Sequence, residues 1–390
     1  MAIDMKLFEL GVNRENTGCI KWDGREHVFG KADVLPMWVA DMDFAAPECV
    51  TDAIIGRARH GAFGYCADDP TDKQAVIDWM ARRHGLKLTA DDIKFSPGVI
   101  DSMETALGAL KAMGKGDSVA MFTPVYGPFY GSTKQNGMEV KGCPMLHEGS
   151  GWRMNLEGLE EIFKAGTKIM LLCNPHNPVG RVWTRAELEE LVGLTKRYGV
   201  TIVSDEIHAD LEMPGYKNTS MLCVDPQSIV FISATKTFNL AALRHSSVLI
   251  TDPELREAVQ AEFARRGNDG VNMFGRIAQT AAYQGGEEWL DALLGYLAGT
   301  RDTVERFLAE ELPEVSCARL MGTYLMWLDF RFMKLDQDAL EKKMIEEAGI
   351  GFSSGTSFGD EGAGFMRMNI ATPRANVIKA LEQLKAVVRK

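Results

Sequence analysis

Short apolar runs that are typical of buried strands recur through the middle of the chain. They cover 117–122, 168–173, 200–203, 229–233 and 247–250, and most of their residues are branched or otherwise large and apolar. Helical patterns separate them. Strands that alternate with helices form βαβ units, in which neighbouring strands run parallel. The chain is therefore predicted to adopt an α/β fold with a mostly parallel central sheet.

Apolar residues at helical spacing occur before the first of these strands, between the second and the third, and through most of the last third of the chain. The predicted helices begin near Cys49 or cover 74–84, 101–113, 252–312, 335–348 and 374–388, and one more opens on the capping box of Thr184 and Glu187. Two further strands are predicted at 323–330 and 364–370. This pattern predicts a large domain over 48–285 and a smaller α+β domain made of 1–47 and 286–390.

Composition narrows the class of protein. The 390 residues are 46% hydrophobic and 25% charged, as in ordinary globular proteins. A net charge of −11 argues against nucleic acid or an anionic membrane as a partner, and no apolar run approaches the length of a membrane span. The start of the chain lacks the pattern of a signal peptide. The seven cysteines form no CxxC pair, which predicts reduced thiols and a cytoplasmic location.

Polar residues follow the ends of four predicted strands. They are Tyr126, Asn177, Asp205 with His208, and Lys236. Ligands of open α/β sheets bind along the edge formed by the carboxyl ends of the strands. The five side chains are therefore predicted to line one crevice.

Lys236 is an unusual residue to find just past a buried strand. Its ammonium needs a partner there or loses its charge, and a neutral amine attacks carbonyl carbons. We therefore expect a Schiff base with pyridoxal phosphate (PLP); the alternative is a lysine in a surface loop. The Pro97-Gly98 turn leads into the predicted helix, and the unpaired backbone N–H groups at such a helix start are a potential anion site.

Three segments allow alternative readings. The run from Asp205 to Asp210 has the residue types of a metal cluster or a solvated loop. Ser233 and Lys236 match the Ser-x-x-Lys motif of penicillin-binding proteins, but the Ser-Asp-Asn and Lys-Thr-Gly tripeptides of that family are absent. The run 36–44 is either a packed N-terminal arm or part of a substrate site, and its aspartates, Asp41 and Asp43, need hydrogen bonds if buried.

Four ordered motifs, at 36–44, 173–181, 204–210 and 233–240, resemble those of one family. It is the PLP-dependent aminotransferases of fold type I (class I/II), and within them the MalY/PatB-type carbon–sulfur β-lyases. The resemblance runs over nearly the whole chain. It implies PLP fold type I, with the cofactor in the large domain.

The resemblance also implies roles for single residues. Lys236 would bind the cofactor covalently and move the proton of the substrate α-carbon, Asp205 would pair with the pyridine nitrogen, and Tyr126 would stack on the ring and share the catalytic role. The remaining cofactor contacts would come from residues around the phenolic oxygen and the phosphate: Asn177, His208, Val99, Ile100, Ser233, Arg244 and Tyr65. Tyr65 would reach the phosphate of a neighbouring subunit, which implies a homodimer with shared sites.

The implied partner is a small-molecule amino-acid substrate whose α-carboxylate is held by Arg367, because a guanidinium matches a carboxylate with two hydrogen bonds. Trp38, Val39 and Ala40 would complete the substrate site. The implied reaction is β-elimination from L-cystathionine or another cysteine S-conjugate, which yields pyruvate, ammonia and a thiol. An aminotransferase, favoured by Arg244, and a PLP-binding regulator of a transcription activator are the alternatives.

Overall fold

The computed structural model describes residues 3–67, 69–149, 151–267 and 270–389. The strands are β1 Leu35–Pro36, β2 Ile93–Ser96, β3 Ser118–Thr123, β4 Glu139–Pro144, β5 Leu146–Glu148, β6 Gly151–Arg153, β7 Ile169–Cys173, β8 Thr201–Asp205, β9 Ile229–Ile232, β10 Ser246–Leu249, β11 Ser316–Cys317, β12 Leu325–Asp329, β13 Ile350–Gly351, β14 Ser353–Ser354 and β15 Phe365–Asn369.

Each stretch with helical spacing contains at least one helix, and a π-helical turn, Met344–Ala348, follows the helix over 337–343. The α-helices are α1 Lys6–Leu10, α2 Ile20–Asp23, α3 Arg25–Phe29, α4 Glu48–His60, α5 Pro70–His84, α6 Val99–Ala112, α7 Pro128–Gln135, α8 Leu156–Lys164, α9 Arg185–Tyr198, α10 Ala234–Thr237, α11 Pro253–Arg266, α12 Met273–Gly285, α13 Glu287–Glu311, α14 Gln337–Lys343 and α15 Arg374–Val388. The capping box predicted at Thr184 and Glu187 is present at the start of α9.

The central sheet has seven strands in the order β2-β10-β9-β8-β7-β3-β4. The five strands from β9 to β4 are parallel, whereas β10 is antiparallel to both of its neighbours. This confirms the predicted α/β fold and its mostly parallel sheet. The apolar run at β10 does not reveal the direction of the strand, because a strand buried on both faces has the same pattern either way.

Both faces of the sheet are buried, which explains why its strands are continuous apolar runs. Met170 and Leu172 of β7 point into one hydrophobic cluster, while Ile169 and Leu171 point into the other. Alternation along a strand sends successive side chains to opposite faces. Helices on both faces thus cover the sheet, and its strand ends are left to carry polar residues.

A second sheet lies in the C-terminal part of the chain, with the antiparallel order β11-β12-β15-β14. The N-terminal segment contacts this part of the chain, because β1 pairs with β13 in a separate two-stranded sheet and Asn369 N of β15 donates to Met37 O at 2.8 Å. The described parts of the two segments predicted to form the smaller domain therefore contact each other, and the boundaries of the two domains stay a prediction. No helix in the described ranges is long and apolar enough to cross a membrane.

The aspartates of the 36–44 segment have charged partners. Arg14 donates two hydrogen bonds to Asp41, both at 2.8 Å, and the fully buried Lys21 lies 3.0 Å from Asp43. Pairing offsets the cost of burying each charge. These ion pairs hold the segment whose Ala40 carbonyl contacts Lys236.

Candidate active site

A cavity of about 190 Å³ lies where β3, β7, β8 and β9 end. Nine of the residues predicted from sequence line it: Ala40, Val99, Ile100, Tyr126, Asn177, Asp205, His208, Lys236 and Arg244. The crevice expected at the carboxyl edge of the sheet is therefore present. The cavity walls also contain Cys173, Ile207, Thr235, Ala241 and His245, which the sequence analysis did not select.

Lys236 lies on α10, a one-turn helix that begins directly after β9. Ser233 caps this helix, since its Oγ accepts a hydrogen bond from Thr235 N at 3.1 Å. The same hydroxyl donates to His245 O at 2.7 Å. Ser233 does not line the cavity, whereas Thr235 does, so the predicted phosphate contact of Ser233 stays a prediction.

The amine of Lys236 is in an environment that disfavours its charge. Burial, followed by the positive charge of Arg367, lowers the pKa of Lys236 from 10.5 to about 8, although Asp41 and Asp205 act in the opposite direction. Its Nζ donates to Ala40 O at 2.7 Å. A sizeable fraction of this amine is therefore neutral near physiological pH, as a nucleophile or base must be.

This pKa predicts how apoprotein takes up PLP. Only the neutral amine attacks the aldehyde, so the rate of uptake should rise with pH and level off above the pKa of Lys236. We expect a midpoint near pH 8, measured as the rate at which visible absorption appears after mixing. A midpoint near the 10.5 of an ordinary lysine would contradict the placement of this amine.

Asp205 ends β8 and is buried. Its Oδ1 accepts a hydrogen bond from Ile207 N at 3.1 Å, yet burial raises the pKa of Asp205 to about 7. A cation placed against this carboxylate would favour its ionised form. Asp205 is thus suited to hold a protonated ring nitrogen.

The other acidic residues of the 205–210 run have different partners. Glu206 accepts hydrogen bonds from Ser204 Oγ and Met221 N, while Asp210 faces helix α5. Among the described residues, no three His, Cys, Asp or Glu side chains are close enough together to hold a metal ion. Within the 205–210 run, only Asp205, Ile207 and His208 line the cavity.

His208 and Tyr126 supply neutral polar groups to the cavity. Burial, with the positive charges of Lys236 and Arg367, lowers the pKa of His208 well below its usual value. Burial, followed by the charge of Asp205, raises the pKa of Tyr126. Both side chains are therefore uncharged at neutral pH and are able to donate hydrogen bonds.

Arg367 on β15 brings the second sheet to the site. It is buried, and it donates to Asn177 Oδ1 at 3.0 Å, to Trp38 O at 3.0 Å and to Ser353 Oγ at 3.2 Å. Burial lowers the pKa of Arg367 to about 10, so it keeps its charge at pH 7. The predicted substrate arginine therefore contacts the predicted cofactor residue Asn177.

The backbone of the 38–40 segment takes part through its carbonyl groups. Trp38 O accepts from Arg367, Val39 O accepts from Asn369 Nδ2 at 2.5 Å, and Ala40 O accepts from both Lys236 and Tyr324. Only Ala40 of the three lines the cavity. Contact of Trp38 and Val39 with substrate stays a prediction.

The part of the cavity wall formed by Val99, Ile100 and Arg244 is suited to an anion. Val99 and Ile100 form the first turn of the 14-residue helix α6, whose N–H groups carry a partial positive charge. Arg244 lies beside them and pairs with Asp101 at 3.2 Å. Tyr65, the other predicted phosphate ligand, is fully exposed and is not among the residues that line the cavity.

Three comparisons with known proteins agree with this geometry. The family model for aminotransferase class I and II matches residues 32–384. Cystathionine beta-lyase PatB of Bacillus subtilis (strain 168) is 38% identical over 386 residues, which are 98% of this chain and 99% of PatB.

Two solved structures have the same fold over their whole length. Cystalysin from Treponema denticola, whose crystal structure contains pyridoxal 5'-phosphate, has a TM-score of 0.93 and 31% identity and covers 100% of this chain and 99% of its own. The PLP-bound C-S lyase from Staphylococcus hominis has a TM-score of 0.91 and 28% identity and covers 98% of each chain.

The cavity fits the same cofactor. It offers a lysine amine of lowered pKa, a buried carboxylate for the ring nitrogen and a helix N-terminus for the phosphate. The protein is therefore a PLP-dependent enzyme of the group that includes C-S lyases and aminotransferases and acts on amino-acid substrates. The chain belongs to the aminotransferase class I and II family, and its cofactor is pyridoxal phosphate.

Proposed function

We propose that the protein is a carbon–sulfur β-lyase, which cleaves L-cystathionine or a related cysteine S-conjugate to pyruvate, ammonia and a thiol. The observation that carries this proposal is the full-length similarity to cystathionine beta-lyase PatB. The position of Lys236, with Asp205 and Arg367 close enough to influence its charge, supports it.

Lys236 has two tasks in this proposal. It holds the cofactor covalently, and once the substrate has taken its place its amine removes the proton from the α-carbon. The cofactor, when bound, withdraws electrons from that carbon. Asp205 keeps the ring nitrogen protonated, and its burial strengthens this contact because water does not screen it.

Arg367 orients the substrate. Its guanidinium is held by Asn177, Trp38 and Ser353, and it lies 4.7 Å from the centroid of the Phe358 ring. Phe358 O in turn accepts hydrogen bonds from Val125 N and Tyr130 Oη. The arginine is therefore fixed before substrate arrives, so that an α-carboxylate bound to it has a defined direction.

Replacing Arg367 with lysine tests the carboxylate contact. Lysine keeps the charge but loses the paired geometry, so KM for the thioether should rise about tenfold to a hundredfold. Arg301→Lys is the matched control, because Arg301 is also buried but lies on α13 and donates to Asp302 and to Leu320 O, whereas Arg367 donates to the cavity residue Asn177. Steady-state kinetics in which both variants have the same KM would argue against Arg367 as the carboxylate ligand.

The reaction itself is tested by incubating the holoenzyme with cystathionine and with a series of cysteine thioethers. Pyruvate and free thiol should appear in equal amounts. Failure to form either product from any thioether would exclude the lyase reading. The visible spectrum recorded in the same samples tells whether the cofactor was bound.

An aminotransferase is the second candidate, and Arg244 is the observation that favours it. Arg244 follows Lys236 at the spacing that the resemblance implies for the phosphate-binding arginine of aspartate aminotransferase-like enzymes, and it lines the cavity with Val99 and Ile100. Conversion of the cofactor to its amine form by an amino acid, and reversal by a 2-oxo acid, would select this function.

A homodimer is part of the same proposal. Helix α4 buries only Val50 of its 13 residues, and Ile55, Phe63 and Tyr65 are exposed on or just after it. Apolar residues on such a surface are typical of subunit interfaces. Sedimentation of the pure holoenzyme as a monomer would contradict this part. We also propose a cytoplasmic location, which the seven free cysteines support.

A further inference from the structure

Asp210 is a buried carboxylate on the loop that follows β8, the strand that ends at Asp205, and His208 lies on the same loop. It does not line the cavity. Neither the family motifs nor the proposed reaction gives it a task.

Two donors on helix α5 hold one oxygen of this carboxylate. Asp210 Oδ1 lies 3.0 Å from Trp79 Nε1 and 2.7 Å from His84 Nε2. Burial alone would raise the pKa of Asp210, but the hydrogen bonds from His84 and Trp79 and the charge of Arg83 lower it. Asp210 is therefore ionised and accepts from both groups.

The other oxygen contacts the helix that carries Lys236. Asp210 Oδ2 accepts from Thr237 Oγ1 at 3.2 Å, and Thr237 is fully buried and directly follows Lys236 on α10. Helix α10 has only four residues, so its own backbone hydrogen bonds fix it weakly. Its orientation therefore depends on contacts such as this one.

We propose that Asp210 is a positioning residue, which acts through Thr237 to fix the direction of the Lys236 side chain relative to Asp205. Through this carboxylate, the loop that follows Asp205 is hydrogen-bonded to helix α5 and to helix α10. The inference rests on the role of Lys236 in the proposed function, and it does not depend on which substrate is cleaved.

Different charged residues surround Lys236 and Asp210, so a change at Asp210 would affect the titration of Lys236 through the position of its amine. Lys236 is surrounded by Asp41, Asp205 and Arg367, while Asp210 is surrounded by His84 and Arg83. A shift of α10 would move the amine relative to the first set. The titration of the cofactor-bound lysine would then change even though no charge in the cavity had been replaced.

Thr237→Val tests the contact, because valine keeps the shape and removes the hydroxyl. We expect kcat for the thioether to fall about tenfold with KM nearly unchanged. We also expect the midpoint of the pH titration of visible absorption to shift by about 0.5 pH units or more. Thr237→Ser restores the hydroxyl and should return both values towards those of the wild type.

Thr195→Val is the matched control. Thr195 is also fully buried and donates to a backbone carbonyl within α9, away from the cavity. It should lower the unfolding temperature without moving the titration midpoint. If Thr237→Val is too unstable to purify, Asp210→Asn measured in the same way serves as the second variant, and its midpoint should also shift.

An unchanged midpoint and kcat in Thr237→Val, or equal shifts in Thr195→Val, would overturn the inference. So would a Thr237→Ser variant that behaves like the valine variant. These outcomes differ from a failure of the proposed function, in which the wild type either has no visible absorption or cleaves no thioether. The titration requires no substrate.

Discussion

Lys236→Ala is expected to abolish turnover and the visible absorption of the bound cofactor at the same time. One amine supplies both the covalent attachment and the base, and alanine supplies neither. We expect kcat to fall by at least about 10⁴-fold. Rates of pyruvate release and absorption spectra of the purified variant measure the two effects.

Lys164→Ala is the control for this substitution. Lys164 lies on the surface at the end of α8, where it pairs with Glu161. Its removal should leave the spectrum and the rate as they are. A Lys236→Ala protein that kept the absorption and a measurable part of its rate would show that another amine holds the cofactor.

Asp205→Asn is expected to leave the cofactor bound and to slow the reaction. The amide has nearly the same shape, but it no longer holds a proton on the ring nitrogen, so less charge is withdrawn from the α-carbon. Loss of such an electrostatic contact should lower kcat about 10²-fold to 10³-fold. Stopped-flow kinetics and cofactor content give the two quantities.

The same substitution at Asp225 separates this effect from a loss of stability. Asp225 is also buried, and it contacts Ser228 and Lys196, which do not line the cavity. Asp225→Asn should lower the unfolding temperature and leave kcat unchanged. If Asp205→Asn retained nearly full rate, the assigned contact with the ring nitrogen would be wrong.

The central sheet could be predicted because its strands are short apolar runs that end in polar residues. Burial on both faces explains the runs, and binding at the carboxyl edge explains the residues that follow them. The edge strand β4 was missed because most of its side chains are at least partly exposed, which makes its pattern polar.

Contacts between distant segments could not be predicted in the same way. Ala40 O, which accepts from Lys236, is a backbone atom, and any residue at that position offers the same group. The ion pairs of Arg14 and Lys21 with Asp41 and Asp43 depend on how the N-terminal segment folds back. The hydrogen bond between Thr237 and Asp210 joins residues that are 27 positions apart in the sequence. The local periodicity of a sequence does not indicate such pairs, because their members lie far apart along the chain.

Thr235 lines the cavity, although the sequence pattern does not distinguish it. It lies between Ser233, which matches a family motif, and Lys236, which follows a buried strand. In the folded chain Ser233 caps α10 and Thr235 lines the cavity. Successive side chains around the start of a helix point in different directions. This geometry decides whether the hydroxyl of Ser233 or that of Thr235 faces the cavity.

Borohydride reduction of the purified holoenzyme, followed by proteolysis and mass spectrometry, tests the central claim most directly. Reduction makes the bond between the lysine and the cofactor permanent. We expect a single pyridoxyl-phosphate adduct on the peptide that contains Lys236. An adduct on another lysine, or none in protein saturated with the aldehyde, would contradict the account.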